Sequence, residues 1–257
     1  MEIMDWLPAL LLLFCRITAF FISTPIFGRN VPSQVKIGFS AFLSIVTWMT
    51  LPDTSSVHFD TIYIAMIIRE IIVGLVLGYI TSLFFAVFQI SGSFIDMQMG
   101  LGIASVLDPV SGIQAPLMGN FKYLMALMVF FSINGHHLLM RGLILSYKWI
   151  PLSGQGLIHM VDGQVSNFLL QSLGIVFMLS FQLASPFVAV MFLIDLSLGI
   201  LTKTAPQMNI FVIGVPIKIL VGFMMFIVLI PGFLYLFEML FQRMLGSLDD
   251  LMRIVGV

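Results

Sequence analysis

The chain has 257 residues, 60% of them apolar and 9% charged. A soluble domain carries about 25% charged residues and the mean hydropathy here is +1.13, so a free soluble globule is excluded and a bilayer, a hydrophobic assembly or both must cover the surface. The net charge of −1 offers no basic field to nucleic acid, the one cysteine (Cys15) offers neither an internal disulfide nor a thiolate metal cage, and the wealth of Phe, Ile, Leu and Val excludes disorder.

The first apolar run, Trp6 to Phe27, is about 22 residues, enough to cross a hydrocarbon core, and contains Arg16. Glu2 and Asp5 precede it where a cleaved leader would carry Lys or Arg, so the segment is expected to be retained. A second, shorter run covers Val35 to Leu51, with Lys36 at its entry, and Pro52 to Ser56 reads as a polar loop. The third run, Ile62 to Ile95, spans about 34 residues, or roughly 50 Å of helix, against a hydrocarbon thickness of about 30 Å. It holds Arg69, Glu70 and Gln89.

Asp96 to Asn120 is rich in Gly, Asp, Pro, Ser and Gln and cannot be a lipid-exposed helix. Run four, Phe121 to Leu145, is interrupted at Asn134-Gly135-His136-His137, and a polar linker follows from Pro151 to Gln164. Run five, Phe168 to Leu201, is again about 34 residues and contains Pro186 and Asp195. Run six, Ile210 to Phe241, carries Pro216, Lys218 and Pro231, ahead of a more polar tail from Arg243 to Val257.

No run alternates with period two, so the expected fold is all-α. Six plain spans would put Arg29, Lys36, Lys122 and Lys203 on one side and Arg141, Lys148, Arg243 and Arg253 on the other. That tie gives no orientation. Together with the overlong runs, it predicts hairpins folded back and buried by partner chains rather than a simple six-span bundle.

Arg16, Glu70, Asp195 and Lys218 would each be costly in lipid, by about 2.5–3.5 kcal/mol at mid-helix. Each should therefore face protein, water or an opposite charge. Structural pairing of Glu70 or Asp195 with Arg16 or Lys218 is favoured over a proton or ion relay, because no chain of titratable groups can be traced. His136-His137 lacks further ligands at helical spacing and reads as polar capping at a helix break. No nucleotide-binding, hydrolase or zinc-protease motif occurs, so no enzyme, cofactor or metal is expected. Gly74-x-x-x-Gly78 permits close helix approach but is a weak signal alone. The glycine-rich stretch between runs three and four has two readings: an extramembrane linker, or irregular backbone lining a cavity. In the second, Ile103, Val106 and Leu107 would obstruct a pore by apolar contact.

Several separated strings in order carry a resemblance. They are Gly92-x-x-Ile95-Asp96-x-Gln98-Met99-Gly100-Leu101, then Asp108-Pro109, Gln114-x-Pro116 and Gly119. Asn134-Gly135-His136 follows with Ser146 downstream, and then Thr204-Ala205-Pro206-Gln207-Met208-Asn209 running on to Pro216, Lys218, Gly222 and Pro231. With Arg16, Ser23-Thr24-Pro25 and Val31-Pro32, the sequence resembles the FliR family of flagellar biosynthetic proteins across essentially its whole length. The resemblance implies a non-enzymatic core subunit of the type III protein export gate, in the bacterial cell (inner) membrane at the flagellar basal body. It implies hydrophobic helical hairpins, a FliP-like part over about 1–182 and a FliQ-like hairpin over about 183–257, assembled into a helical cone. One copy would join five FliP and four FliQ chains, with FlhB and FlhA as further partners, and the rod, hook and filament proteins would be the exported substrates. The glycine-rich loop would plug the pore through Gly100, Gly102, Ile103, Val106, Leu107, Asp108, Pro109 and Gln114. Relatives in virulence injectisomes share the fold and define the nearest alternative; a secondary transporter coupled through Glu70, Asp195 and Lys218 is the remote one.

Overall fold

A computed structural model describes residues 3–27, 31–51, 59, 62–102, 116–152, 163–207 and 209–256. All regular structure among them is helical. The elements are α1 (Ile3–Ser23), a 3-10 turn at Pro25–Phe27, α2 (Ser33–Thr50), α3 (Tyr63–Met99), α4 (Leu117–Ser132), α5 (Gly135–Trp149), α6 (Gln164–Thr204) and α7 (Ile210–Gly256). Four of them, α1, α3, α6 and α7, are long and apolar enough to cross a membrane, and α4 with α5 forms a fifth, broken candidate.

The long runs do not fold back on themselves. α3, α6 and α7 are continuous helices of 37, 41 and 47 residues. Pro186 lies inside α6, and Pro216 and Pro231 inside α7, without ending either helix. A proline removes one intrahelical bond, and uninterrupted apolar sequence on both sides keeps the remaining ladder intact. The polar tail expected after Phe241 is instead the last turns of α7. The apolar run between α4 and α5 breaks at Asn134, whose left-handed backbone (φ 56°, ψ 30°) suits an Asn better than most residues.

Two compact units divide the chain. The first comprises residues 1–84, 134–173 and 241–257: α1, α2, the front of α3, α5, the start of α6 and the end of α7. Its core includes Leu12, Leu13, Tyr63, Tyr147 and Leu152. Within it the glycine pair of α3 sets the approach of α1. A Cβ on Gly74 would strike the Arg16 carbonyl and lie 2.9 Å from the Ala19 Cβ, and one on Gly78 would meet Ser23 and lie 2.8 Å from the Phe20 carbonyl. The small-x-x-x-small pair is thus a helix contact, with backbone against backbone.

The second unit comprises residues 85–133 and 174–240: the back of α3, α4, and most of α6 and α7. Phenylalanines fill it. Phe88 meets Phe237 edge-on at 4.4 Å, Phe187 stacks on Phe233 at 6.1 Å, and Phe85 meets Phe130 at 5.5 Å. Such tilted and offset pairs add to their area burial. Gly222 on α7 leaves room for the Met99 side chain at the end of α3.

Candidate functional site: buried ion clusters and the helix ends that bracket the glycine-rich segment

α1 and α3 carry their charges to one point in the first unit. Glu70, Gly74 and Gly78 share a row at i, i+4, i+8 on α3. Because the two glycines admit the α1 backbone, Arg16 is drawn against Glu70. The Arg16 guanidinium donates from Nε to one Glu70 oxygen and from Nη2 to the other at 3.0 Å. It also donates to Ser146 Oγ at 3.0 Å and to the Ile150 carbonyl at 2.9 Å, and lies 4.0 Å from the centre of the Tyr147 ring. Arg69 donates to Glu70 Oε1 at 2.8 Å, and to the carbonyls of Pro151 and Leu152 at 2.8 and 3.0 Å. Arg16, Arg69 and Glu70 are all buried. One carboxylate lies between two guanidiniums, whose other bonds go to a serine hydroxyl and three carbonyls, an arrangement that pairs buried charges and ties α1 to α3.

The other sequence-derived pair lies in the second unit, where Lys218 of α7 contacts Asp195 of α6. It is far more open: the Asp195 side chain is 47% exposed and that of Lys218 18%.

The glycine-rich segment is bracketed by α3 and α4. α3 ends in a paired capping pattern. Gly100, at φ 80°, donates to the Met97 carbonyl (3.3 Å), and Leu101 donates to the Asp96 carbonyl (3.0 Å). α4 starts after Pro116, which has no side chain able to cap it. Asp96 does so from the end of α3. Its carboxylate accepts from the Met118 N–H at 3.0–3.1 Å and from the Gly119 N–H at 3.3 Å. Those are the donors an N-cap normally satisfies, at the positive end of the helix dipole. Asp96 therefore closes two helix ends at once, by carbonyl and by carboxylate. Next to it the backbones touch. A Cβ on Gly92 would collide with the Gly119 backbone, and one on Gly119 would sit 2.9 Å from the Gln89 carbonyl. Further along, the buried Lys122 ammonium donates to Ser91 Oγ and lies 4.6 Å from the Phe233 ring centre. Lys122 is thus an interior residue rather than the flanking loop cation assumed in the sequence charge count.

Gly100 and Gly102 belong to this bracket. Ile103, Val106, Leu107, Asp108, Pro109 and Gln114 lie outside the described residues. The rings of His136 and His137 lie 4.1 Å apart, tilted by 38°, on the first turn of α5, and no group of three or more metal-ligating side chains occurs among the described residues. Sequence reading missed Asp96 and Lys122 as structural centres. Asp96 caps a helix 22 positions downstream, and no local spacing rule carries that distance; the one available signal was a carboxylate ahead of a glycine-rich stretch ending in proline.

Residues 7–244 match the family described as bacterial export proteins, family 1. The chain is 42% identical to flagellar biosynthetic protein FliR of Bacillus subtilis (strain 168), covering 100% of this chain and 99% of that protein. The chain belongs to the FliR family of bacterial export proteins. It is 29% identical to FliR of Escherichia coli (strain K12), over 96% of this chain and 95% of that protein. It is 32% identical to the surface presentation of antigens protein SpaR of Shigella sonnei, over 88% and 90%. The FliR family supplies components of protein secretion machinery and is not a family of enzymes. With four membrane-length apolar helices among the described residues, the chain is a membrane protein of a type III export apparatus.

Proposed function

We propose that this chain is the single FliR-type subunit of a flagellar export channel. It assembles with FliP-type and FliQ-type chains, five and four in number, into a helical cone in the cell membrane at the basal body. FlhB and FlhA adjoin it, and unfolded rod, hook and filament proteins pass through. Residues of about 1–182 act as the FliP-like part and about 183–257 as the FliQ-like hairpin. The residues Gly100 to Gln114 obstruct the conduit while no substrate is present, and Asp96 holds the two helix ends from which they spring.

One observation carries this reading. Exposed large apolar side chains run along α6 from Ile175 to Ile200 and along α7 from Val212 to Met239, roughly 40 Å in each case at 1.5 Å per residue. A hydrocarbon core covers about 30 Å. Faces longer than the lipid core favour further cover by neighbouring helices. The full-length likeness to a flagellar FliR at 42% identity favours the flagellar form over the injectisome form represented by SpaR.

The test is the native mass of the complex purified after co-expression with FliP-type and FliQ-type chains. A discrete hetero-oligomer containing one copy of this chain is expected. A lone monomer or dimer that catalyses solute uptake would overturn the proposal in favour of a transporter. Deleting Gly100 to Gln114 should raise the ion conductance of the assembled gate, and unchanged conductance would remove the plug role.

A further inference from the structure

A groove of about 790 Å³ lies within the first unit, between α2, α5 and the residues that follow α5. Leu43, Leu51, Ile144 and Leu152 supply apolar walls, and Arg141 and Lys148 stand along it. Its size is that of a small-molecule site, and among the described residues no carboxylate lines it. Arg141 and Lys148 are exposed, and neither forms an ion pair among the described residues. They sit seven positions apart on one helix, about 10 Å along its axis, within reach of one anion held between two long side chains.

Thr50, His137 and Tyr147 add polar atoms to the same walls. The carbonyls of Ile150, Pro151 and Leu152 at the end of α5 are already taken by Arg16 and Arg69. A phosphate brings only acceptors, and the apolar walls suit acyl chains. The end of α5 has the make-up of a membrane–water boundary: Trp149 is half-exposed, and the Arg253 guanidinium lies 5.9 Å from the centre of its ring. We propose that this groove binds one anionic phospholipid, its phosphate between Arg141 and Lys148 and its chains along Leu43 and Ile144. Basic pockets among membrane helices bind such headgroups by the same chemistry.

The experiment is lipid-resolved native mass spectrometry of the complete export complex, delipidated and then exchanged into nanodiscs of phosphatidylcholine with or without phosphatidylglycerol. The wild type should retain one phosphatidylglycerol in preference to phosphatidylcholine. The double variant Arg141→Ala, Lys148→Ala should lose that occupancy by about tenfold or more, while Arg141→Lys with Lys148→Arg keeps it. Equal retention of both lipids, no retained lipid, or unchanged occupancy in the alanine variant would overturn the proposal. So would cross-linking of position 141 to an acidic protein segment in place of lipid. Where the alanine variant fails to assemble, comparing the two lipids on the wild type decides the question alone. The readout is bound lipid, so it stands apart from whether the complex exports flagellar subunits.

Discussion

The cluster at Arg16, Arg69 and Glu70 and the pair at Asp195 and Lys218 both place opposite charges in apolar helices, and the chain finishes only one of them. The first is sealed. Two guanidiniums share one carboxylate, and the remaining donors reach a serine hydroxyl and three backbone carbonyls. The second joins α6 to α7 by a single contact and leaves the carboxylate half in the open, among exposed Phe192, Leu193 and Leu196. A buried ion pair survives only when its other hydrogen-bonding groups are also satisfied. The first region meets that condition within one chain; the second meets it only when something else covers the hairpin.

The sharpest way to break the contrast is to remove the shared carboxylate. Glu70→Ala strands two buried guanidiniums, and losing one partner of a buried pair costs about 3–5 kcal/mol. The expected outcome is little or no folded chain in the membrane, read by protease resistance and thermal unfolding of whatever accumulates. A well-folded Glu70→Ala chain would mean that the cluster is not what holds α1 to α3.

A second substitution asks whether packing or charge sets that register. In Gly74→Ala the new Cβ meets the Arg16 carbonyl, and overpacking of this kind costs about 1–3 kcal/mol. Because the shift also pulls Arg16 from Glu70, the effects of Gly74→Ala and Arg16→Lys should be non-additive. Thermal unfolding of the single and double variants measures the coupling, and strict additivity would separate the glycine row from the ion cluster.

The bracket of the glycine-rich segment gives a third test, within the second unit. Asp96→Ala removes charge-assisted bonds to two helix N–H groups, worth about 1.5–3 kcal/mol. Asp96→Asn retains part of the cap and should lose less. The change is local to the ends of α3 and α4, so the expected signature is faster amide exchange at Met118 and Gly119, with the Arg16 cluster unaffected. If the proposed plug is correct, ion leak through the assembled gate rises in parallel, and Asp96→Ala leaks more than Asp96→Asn.

The helical fold was legible because apolar runs long enough to span a membrane leave few alternatives, and α1, α2 and α4 lie close to their predicted positions. The ends of α6 and α7 were not. Gln164, Lys203 and the polar residues after Phe241 look like linker in one dimension, but helix continues through them once its ladder is established. The glycines at 74 and 78 were visible as a spacing, whereas their partner α1 was not, since a small-residue motif names one side of a contact only. Asp96 was visible as a polar residue in a polar stretch; its role depends on where α4 begins, and that is a tertiary fact. The two charge pairs are the middle case. Four costly residues implied pairing of some kind, but which acid meets which base follows from the glycine row in one region and from the α6–α7 contact in the other.

The smallest expected effect on the chain itself belongs to Asp195. An exposed ion pair contributes about 0–1 kcal/mol, so Asp195→Asn should leave the thermal unfolding of the isolated chain nearly unchanged. The same substitution should matter in the assembly. There a neighbouring helix would seal the pair from solvent, and a lone Lys218 left beneath it would carry an uncompensated charge, the situation that makes half-broken buried pairs costly. The expected result is a normal isolated chain that recovers less FliQ-type partner from detergent extracts. The charge-reversed double variant, Asp195→Lys with Lys218→Asp, should restore part of that recovery. Full partner recovery by Asp195→Asn would show that the pair stays solvated in the complex. The hairpin face would then be lipid-facing at this depth, and the difference between the two regions would reflect membrane exposure rather than an unfinished interface.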